Sequence, residues 1–589
     1  MIRVLPPLDA ASVAAQVRAA LGVEPVDLII RGARLVNVFT EQVEPAGAVA
    51  VARGRVVSLG PEMPGWLGPN TKVLEAEGLF LLPGLIDAHT HLDSIFTLNQ
   101  YASYALASGN TTAISECAMM AGAWGLRGVE AMLDEAATAP MRLFWTAPPL
   151  VPPFSDLETS AGLPYSDFAS LLKRPDFVGV GEVYWPAVTD QDPRVGRRFA
   201  LAQELGKTQE GHAAGARGER LTAYAASGIS SCHEAINVQD ALDRLRLGIA
   251  VQVRQGFVRK EMDKVVPGLK DLPDTRLVSL VTDLAEPLEL MQQGAMNPLL
   301  KKAVELGVPP ARAVAWCSLN PATHFGLERL GGLAPGWVAD MVLVDDLINF
   351  KAKAVFLAGR QVAADGKLTI DLGWHQYPDE AHRTIQCPEL KPAALRVPGS
   401  GDRAMVRVAA FAGDTITKET QISLPVVSGE VQPDPDQDVQ KLVHVNRHTT
   451  ELKLSIGFVS GWGLKQGALA TTLEWDTNNL IVLGANDADI VSAANRVREL
   501  GGGIVLATDG EIMAELPFPI ASVISPLSLP EIVKKMRALA KGLRELGCGL
   551  ARPLLTIQTI CFTGLPFLRL TDKGLVDIRK RQFVEVIVQ

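Results

Sequence analysis

Two histidines separated by one residue, His89 and His91, follow the run Leu79-Phe80-Leu81-Leu82-Pro83-Gly84-Leu85-Ile86-Asp87-Ala88. Side chains two apart on an extended segment point the same way, so both imidazoles can leave a strand end together and bind one cation. The Pro-Gly pair and the acid just before them favour that reading over two unrelated loop histidines. Of nine histidines in the chain, His212 and His233 also stand at the ends of expected strands in the same middle region. Glu182 follows the apolar stretch 177–181, and Asp283 follows Val281-Thr282. Four imidazoles and two carboxylates suit a pair of divalent cations that share one oxygen ligand. Glu182 can bridge, because each carboxylate oxygen binds one ion, and Asp283 can hold an ion and still accept a proton from water. Two cations about 3.5–4 Å apart bring the pKa of a shared water towards neutrality and polarise a substrate, so hydrolysis needs no organic cofactor.

These residues need a scaffold that gathers them. At 589 residues the chain exceeds one core, and about 150 residues per domain implies three or four units. Residues 8–22 carry Ala, Val and Leu at helical spacing after Asp9, which predicts a short leading helix. From 26 to 76 the texture is β, in short alternating runs broken by Gly and Pro, and it returns at 339–344 and 354–359. These two segments read as halves of one small β domain interrupted by everything between them. Residues 78–330 alternate apolar strands with amphipathic helices, the pattern of parallel βα units and most simply of a barrel. Reactive side chains then belong at the carboxyl ends of strands, where His89, His91, Glu116, Glu182, His212, His233, Arg254 and Asp283 are expected. Pro388, Pro392 and Pro398 mark a linker, after which a further region of strands and helices begins near Ala404. Gly501-Gly502-Gly503 lacks the Lys-Ser/Thr of a phosphate loop and reads as a turn after a helix.

Composition narrows the partners. A net charge of -9 without a basic cluster argues against nucleic acid or an anionic membrane and leaves a small-molecule substrate. Six cysteines are scattered with no C-x-x-C pair, which fits free thiols in a reducing compartment, the cytoplasm. The first residues lack a basic start followed by an apolar core, and no apolar run is long enough to cross a bilayer. A homodimer or higher homo-oligomer is the expectation on frequency alone.

Beyond the barrel-opening Pro83-Gly84-Leu85-Ile86-Asp87-Ala88-His89-Thr90-His91, several segments resemble the amidohydrolase superfamily and, within it, the adenine deaminase family. They are Val180-Gly181-Glu182-Val183, Gly211-His212-Ala213, Ser227-Gly228-Ile229-Ser230-Ser231-Cys232-His233-Glu234, Asn320-Pro321-Ala322 and Gly332-Leu333-Ala334-Pro335-Gly336-Trp337. The likeness continues through Gly463-Leu464-Lys465-Gln466-Gly467-Ala468 and Leu570-Thr571-Asp572-Lys573-Gly574, covering roughly 26–589. The resemblance implies an α/β fold: a TIM-like (β/α)8 metallo-hydrolase barrel at 79–330 and a β-sandwich domain from 26–78 and 331–385. A helical lead at 1–25 and a C-terminal α+β domain at 395–589 complete the expected organisation.

The resemblance also implies hydrolysis of the 6-amino group of adenine or a substituted aminopurine to the oxo product and ammonia, through a hydroxide shared by two metal ions. Carried over by motif, His89, His91, Glu182, His212, His233 and Asp283 are the ligands, with Asp283 as base and Glu182 also catalytic. Manganese or iron is what the family suggests, and zinc also suits the donors. The chain departs from the family around the substrate. Glu116-Cys117-Ala118-Met119 stands in place of Asp-Pro-His-Glu, Arg254-Gln255-Gly256-Phe257 in place of Arg-Glu-Gly-Ser, and Thr282-Asp283-Leu284 in place of Thr-Asp-Asp. Trp475-Asp476-Thr477-Asn478-Asn479 replaces His-Asp-Ser-His-Asn. Ala118, Met119, Arg254, Phe257, Leu284 and Trp475 are therefore expected to line the substrate site, with an apolar character that suits a bulkier or less polar molecule. The alternative is an amidohydrolase that cleaves an amide, lactam or cyclic imide, since the same nucleophile attacks a carbonyl. Retention of all six ligand candidates speaks against a non-catalytic scaffold.

Overall fold

The computed structural model describes residues 2–3, 5–413 and 415–588. Met1 and Val4 of the expected leading segment, and Asp414 and Gln589 of the expected C-terminal domain, lie outside the described residues. In the middle of the chain eight parallel strands stand side by side in sequence order. They are β1 (Leu85–His91), β2 (Asn110–Glu116), β3 (Arg142–Ala147), β4 (Phe177–Tyr184), β5 (Thr208–His212), β6 (Ser231–Cys232), β7 (Ala250–Arg254) and β8 (Val278–Val281). Every residue of β2, β7 and β8 is buried, as expected of parallel strands covered on both faces.

Among the described residues no backbone ladder joins β8 back to β1, and a side chain closes that seam. The buried Asp87 carboxylate accepts from the Thr282 N–H at 3.2 Å and from the Thr282 hydroxyl at 2.6 Å. The Asp283 N–H donates to the His89 carbonyl at 3.1 Å. Burial pushes the Asp87 carboxyl up to about 6, and the bonds from Thr282 oppose that rise. Closure of the barrel and the meeting of His89 with Asp283 are thus one event.

The stretch read from sequence as one strand leading to His89 is divided at Gly84. Phe80–Pro83 pairs antiparallel with Met341–Val344 in a different sheet, and the barrel begins only at Leu85. A Cβ at Gly84 would lie 2.2 Å from Thr111 Oγ1, so only glycine lets the chain pass from one sheet to the other here. The Phe80–Pro83 ladder joins the two flanking segments into one nine-stranded sheet. That sheet runs Lys367–Leu368, Arg360–Ala364, Ala352–Leu357, Met341–Val344, Phe80–Pro83, Leu28–Asn37, Gln42–Ala52, Arg55–Gly60, with Lys72–Glu75 beside Leu28–Asn37. Alternation sends Leu28 and Ile30 into one core with Val49, Met341 and Phe356, while Ile29 joins Ala50 and Trp66 on the other face. The leading helix, Ala10–Ala20, lays Ala19 on that second face.

The C-terminal region is built on a second nine-stranded sheet between Arg403 and Pro517. The helix Asp487–Glu499 starts at an Asn486 cap and packs Ile490, Ala493 and Val497 on the sheet; Gly501 and Gly502 form the turn beyond it, and Gly503 opens the next strand. This region meets the carboxyl ends of the barrel strands. Ile95–Phe96, four residues beyond His91, pairs with Ile524–Ser525. The Asn478 amide donates to the Met119 carbonyl at 2.9 Å, and a Cβ on Gly122 would come within 2.6 Å of the Asp476 carbonyl oxygen. No helix among the described residues is long and apolar enough to cross a membrane.

Because the Thr282 hydroxyl is the shortest bond across the seam, Thr282→Val should leave the fold recognisable by circular dichroism. It should cost about 1–3 kcal/mol in urea unfolding, the usual cost of a buried acceptor that loses its donor. An unchanged unfolding midpoint and slope would contradict the role given to this side chain.

Candidate metal centre and the cavity above it

The strand ends carry the six sequence-nominated side chains to one place. His89 and His91 come from β1, Glu182 from β4, His212 from the end of β5, His233 from just beyond β6 and Asp283 from just beyond β8. The backbone is left-handed at Asp283, with φ 48°, and again at Leu284, with φ 86°, which turns the carboxylate in towards β1. The donor atoms fall into two groups, His89, His91, Glu182 and Asp283 in one and Glu182, His212 and His233 in the other. Within each group the atoms lie within 4.8 Å of one another.

Glu182 belongs to both groups through different oxygens. Its Oε1 is 3.2 Å from His89 Nε2 and 3.1 Å from His91 Nε2, and its Oε2 is 2.6 Å from His212 Nδ1 and 3.5 Å from His233 Nε2. Asp283 Oδ1 is 3.3 Å from the Nε2 atoms of both His89 and His91. His89 Nε2 is fully buried yet makes no well-directed hydrogen bond, although two carboxylate oxygens stand near it. Apart from the hydrogen bond between Glu182 and His212, these donor atoms converge without well-directed bonds to one another, which fits a cation between them, and nitrogen and oxygen donors are those of a divalent ion.

The electrostatics agree. Burial disfavours charge on His89, but the carboxylates of Asp283 and Glu182 outweigh it and raise the imidazole to about 10. His91 is likewise raised against its burial. His233 is stacked on His89 with centroids 4.1 Å apart, and burial followed by the charge on His89 pushes it down to about 3. Glu182 and Asp283 are held well below the usual carboxylate range despite their burial. A set of imidazoles that must take up protons to balance two buried carboxylates is a set that a cation would relieve.

Arg254 stands in the cavity lining, where it was expected. It borders the cavity, but its guanidinium is saturated: Nε donates to Glu261 at 3.0 Å and Nη2 to Glu234 at 3.1 Å and Glu261 at 3.2 Å. Nη1 donates to Glu234 and, at 3.2 Å, to Asp283. All five N–H groups of an arginine are then engaged, and none is left for a substrate. Its effect is to keep neighbouring acids charged. Glu234, also buried, is brought down to about 2 by Arg254 and the nearby histidines against its burial.

Above the donors lies a cavity whose lining joins barrel loops to the C-terminal region. Ala118, Met119, Leu284 and Trp475 line it, as does Arg254. Phe257 does not. Gln255 and Lys260 pair across a tight excursion after β7, and alternation sends Val258 to the cavity while Phe257 faces a separate surface groove beside Arg552. Sequence reasoning passed over Tyr184, Glu234, Asp476, Gln558 and Phe562, all of which line the cavity. Glu234 follows a nominated histidine and Asp476 a nominated tryptophan, so adjacency was the available signal for those two. Gln558 and Phe562 carried none. The Tyr184 hydroxyl donates to Asp476 Oδ2 at 2.5 Å, and burial pushes the Asp476 carboxyl up to about 7. Trp475 and Phe562 meet edge to face with centroids 5.6 Å apart.

Residues 80–366 match the amidohydrolase family, and residues 414–582 match the adenine deaminase C-terminal domain. The chain is similar along its length to the adenine deaminase of Kosmotoga olearia, with 34% identity over 572 residues covering 97% of this chain and 98% of that protein. It is similar also to the adenine deaminase of Moorella thermoacetica, with 35% identity over 583 residues covering 97% of each.

Two outcomes follow from the geometry. Since His89 holds its proton up to about 10, a cation must displace protons to bind, so apparent metal affinity should rise with pH towards that value. Isothermal titration of the apoprotein in buffers of different ionisation enthalpy should show proton release, and pH-independent affinity would contradict it. Arg254→Gln strands three buried carboxylates and should cost about 3–5 kcal/mol of stability in chemical unfolding. A variant as stable as the parent would refute the assigned role.

Proposed function

Because the chain belongs to the adenine deaminase family of amidohydrolases, we propose that it hydrolyses the 6-amino group of adenine, or of a substituted aminopurine, to the 6-oxo product and ammonia. The observation that carries the reading at this site is Glu182, which offers one oxygen to each of two donor groups. Its support is for two divalent cations, manganese or iron by family resemblance and zinc by donor type, with His89, His91, Glu182 and Asp283 holding one and Glu182, His212 and His233 the other. Such ions supply Lewis acidity, which makes water acidic enough to yield a nucleophile near neutral pH.

The protein's own residues do the rest. Asp283, kept as a carboxylate by its histidine and arginine neighbours, accepts the proton of the attacking water and returns it to the departing amine. Water adds across the C6=N1 bond of the base, so that the π pair and one proton of the water end on N1; the C–N bond to the 6-amino group then breaks, and ammonia leaves with the proton relayed by Asp283 as the carbonyl forms. Glu234, locked as a carboxylate by Arg254, is a poor proton donor and serves to hold His212 and His233, at 3.7 and 3.4 Å from its Oε1. Trp475, Phe562, Met119 and Leu284 give flat apolar walls suited to an aromatic base, and Asp476 and Gln558 provide polar contacts for ring nitrogens. Those polar groups answer the loss of polar side chains near Met119 and Leu284, and they favour a purine over a purely apolar amide. The six cysteines are free and buried, in keeping with the reducing cytoplasm, and a homodimer is the proposed assembly.

The test is ammonia release from adenine and a panel of aminopurines by the manganese-loaded protein, with hydrolysis of amides and cyclic imides measured beside it. Turnover of adenine is expected, and Asp283→Asn should lower kcat by about 100- to 10,000-fold with its circular dichroism unchanged. Hydrolysis of amides alone, with no aminopurine deaminated, would overturn the assignment.

A further inference from the structure

The C-terminal region contains a second convergence of ligand atoms, away from the barrel. His444, Glu474 and Cys561 offer a ring nitrogen, a carboxylate oxygen and a sulfur that lie within 4.8 Å of one another. Their exposures are 1%, 0% and 1%, so the cluster is sealed from solvent. The three come from separate places: His444 from the strand Val439–Val445, Glu474 from the segment leading to Trp475, and Cys561 from the turn after the helix Pro553–Thr559.

Their polar atoms are not used up. Glu474 Oε2 accepts from the Thr477 hydroxyl at 2.5 Å and the Asn479 N–H at 2.9 Å. Its Oε1 and both ring nitrogens of His444 have no hydrogen-bond partner, and Oε1 stands 3.6 Å from His444 Nε2, too far for a bond. The Cys561 thiol stands against the Glu474 carboxylate, and burial together with that carboxylate pushes the thiol well above its ordinary value. Fully buried polar atoms are almost always paired, and both ring nitrogens of His444 beside this thiol and carboxylate call for something between them. The buried guanidinium groups of Arg447 and Arg569 spend most of their donors on carbonyls, although Arg569 Nε has no hydrogen-bond partner and the Arg569 charge is felt at Cys561. Arg447 donates to the carbonyls of Thr384, Ala123, Ala521 and Asn478 and to the Ser522 hydroxyl, and Arg569 to those of Thr559, Thr415 and Pro566.

We propose that His444, Glu474 and Cys561 form a structural metal site, separate from the barrel groups, for a divalent cation of borderline softness, zinc before others. Sulfur, nitrogen and oxygen together are the donors of zinc, whereas manganese and magnesium prefer oxygen. The ion binds while the C-terminal region folds, before the three side chains are sealed: the thiol then gives up its proton to water as the sulfur–metal bond forms, and the resulting thiolate with the Glu474 carboxylate balances the charge of the ion. One ion occupies His444 Nε2, Glu474 Oε1 and Cys561 Sγ at once. Its position gives it a purpose, since Trp475 and Asp476 follow Glu474 directly and Phe562 follows Cys561. The ion ties both wall segments of the cavity to the C-terminal sheet. The site does not depend on which reaction the barrel performs.

Cobalt loading of the full-length protein tests it. Among the described residues the barrel groups hold no sulfur ligand, so a thiolate-to-cobalt charge-transfer band in the near ultraviolet reports on Cys561 alone. The wild-type protein is expected to show that band, and zinc analysis by mass spectrometry to show about one equivalent per chain that Cys561→Ser and His444→Gln both lose. The visible cobalt bands of the barrel should persist in both variants. A wild-type protein without the charge-transfer band overturns the proposal whatever the variants do, and so does a band that survives in Cys561→Ser.

Discussion

A carboxylate surrounded by four imidazoles is the constraint on which this molecule rests. The Glu182 side chain is only 13% exposed, and in isolation its charge would be disfavoured, yet its two oxygens each face a pair of histidine nitrogens. Only positive charge between and around those groups makes the arrangement stable. Without an ion the histidines of β1 must supply it as protons, and with one the protons leave. The affinity of the centre for metal and its dependence on pH are two aspects of that single exchange.

The groups around the centre make sense as devices for keeping acids ionised at their stations. Asp87 holds Thr282 across the barrel seam, which sets Asp283 opposite His89. Arg254 spans Glu234, Asp283 and Glu261, so that two of the acids nearest the donors remain carboxylates despite burial. An arginine so engaged contributes charge and rigidity, with no N–H group left to point into the cavity.

Much of the cavity lining comes from outside the barrel. Trp475, Asp476, Gln558 and Phe562 belong to the C-terminal region, yet they form the wall that faces the donor atoms. The close approach of Gly122 to the Asp476 carbonyl and the bond from Asn478 to Met119 lock that wall to the barrel rim. Candidate metal ligands on rigid strand ends and a separately supported roof belong to two regions of the chain, one gathering the donor atoms and the other shaping the cavity above them.

Sequence by itself carried the metal-binding side of this protein a long way. The spacing of His89 and His91 and the apolar runs ending at Glu182, His212, His233 and Asp283 were legible, because strand periodicity is local and a strand end exposes whatever residue stands there. The seam at Asp87, the division of the leading strand at Gly84 and the saturation of Arg254 were not. Each depends on partners far along the chain, such as Thr282, Thr111 and Glu261, whose approach no local pattern records. Phe257 shows the same limit at the scale of one residue. Its neighbourhood was correctly placed near the site, but whether it or Val258 faces inward turns on the register of a short excursion after β7. Tertiary structure alone decided which side chains share a wall, because cavities are made by contacts between segments that the chain brings together only once it has folded.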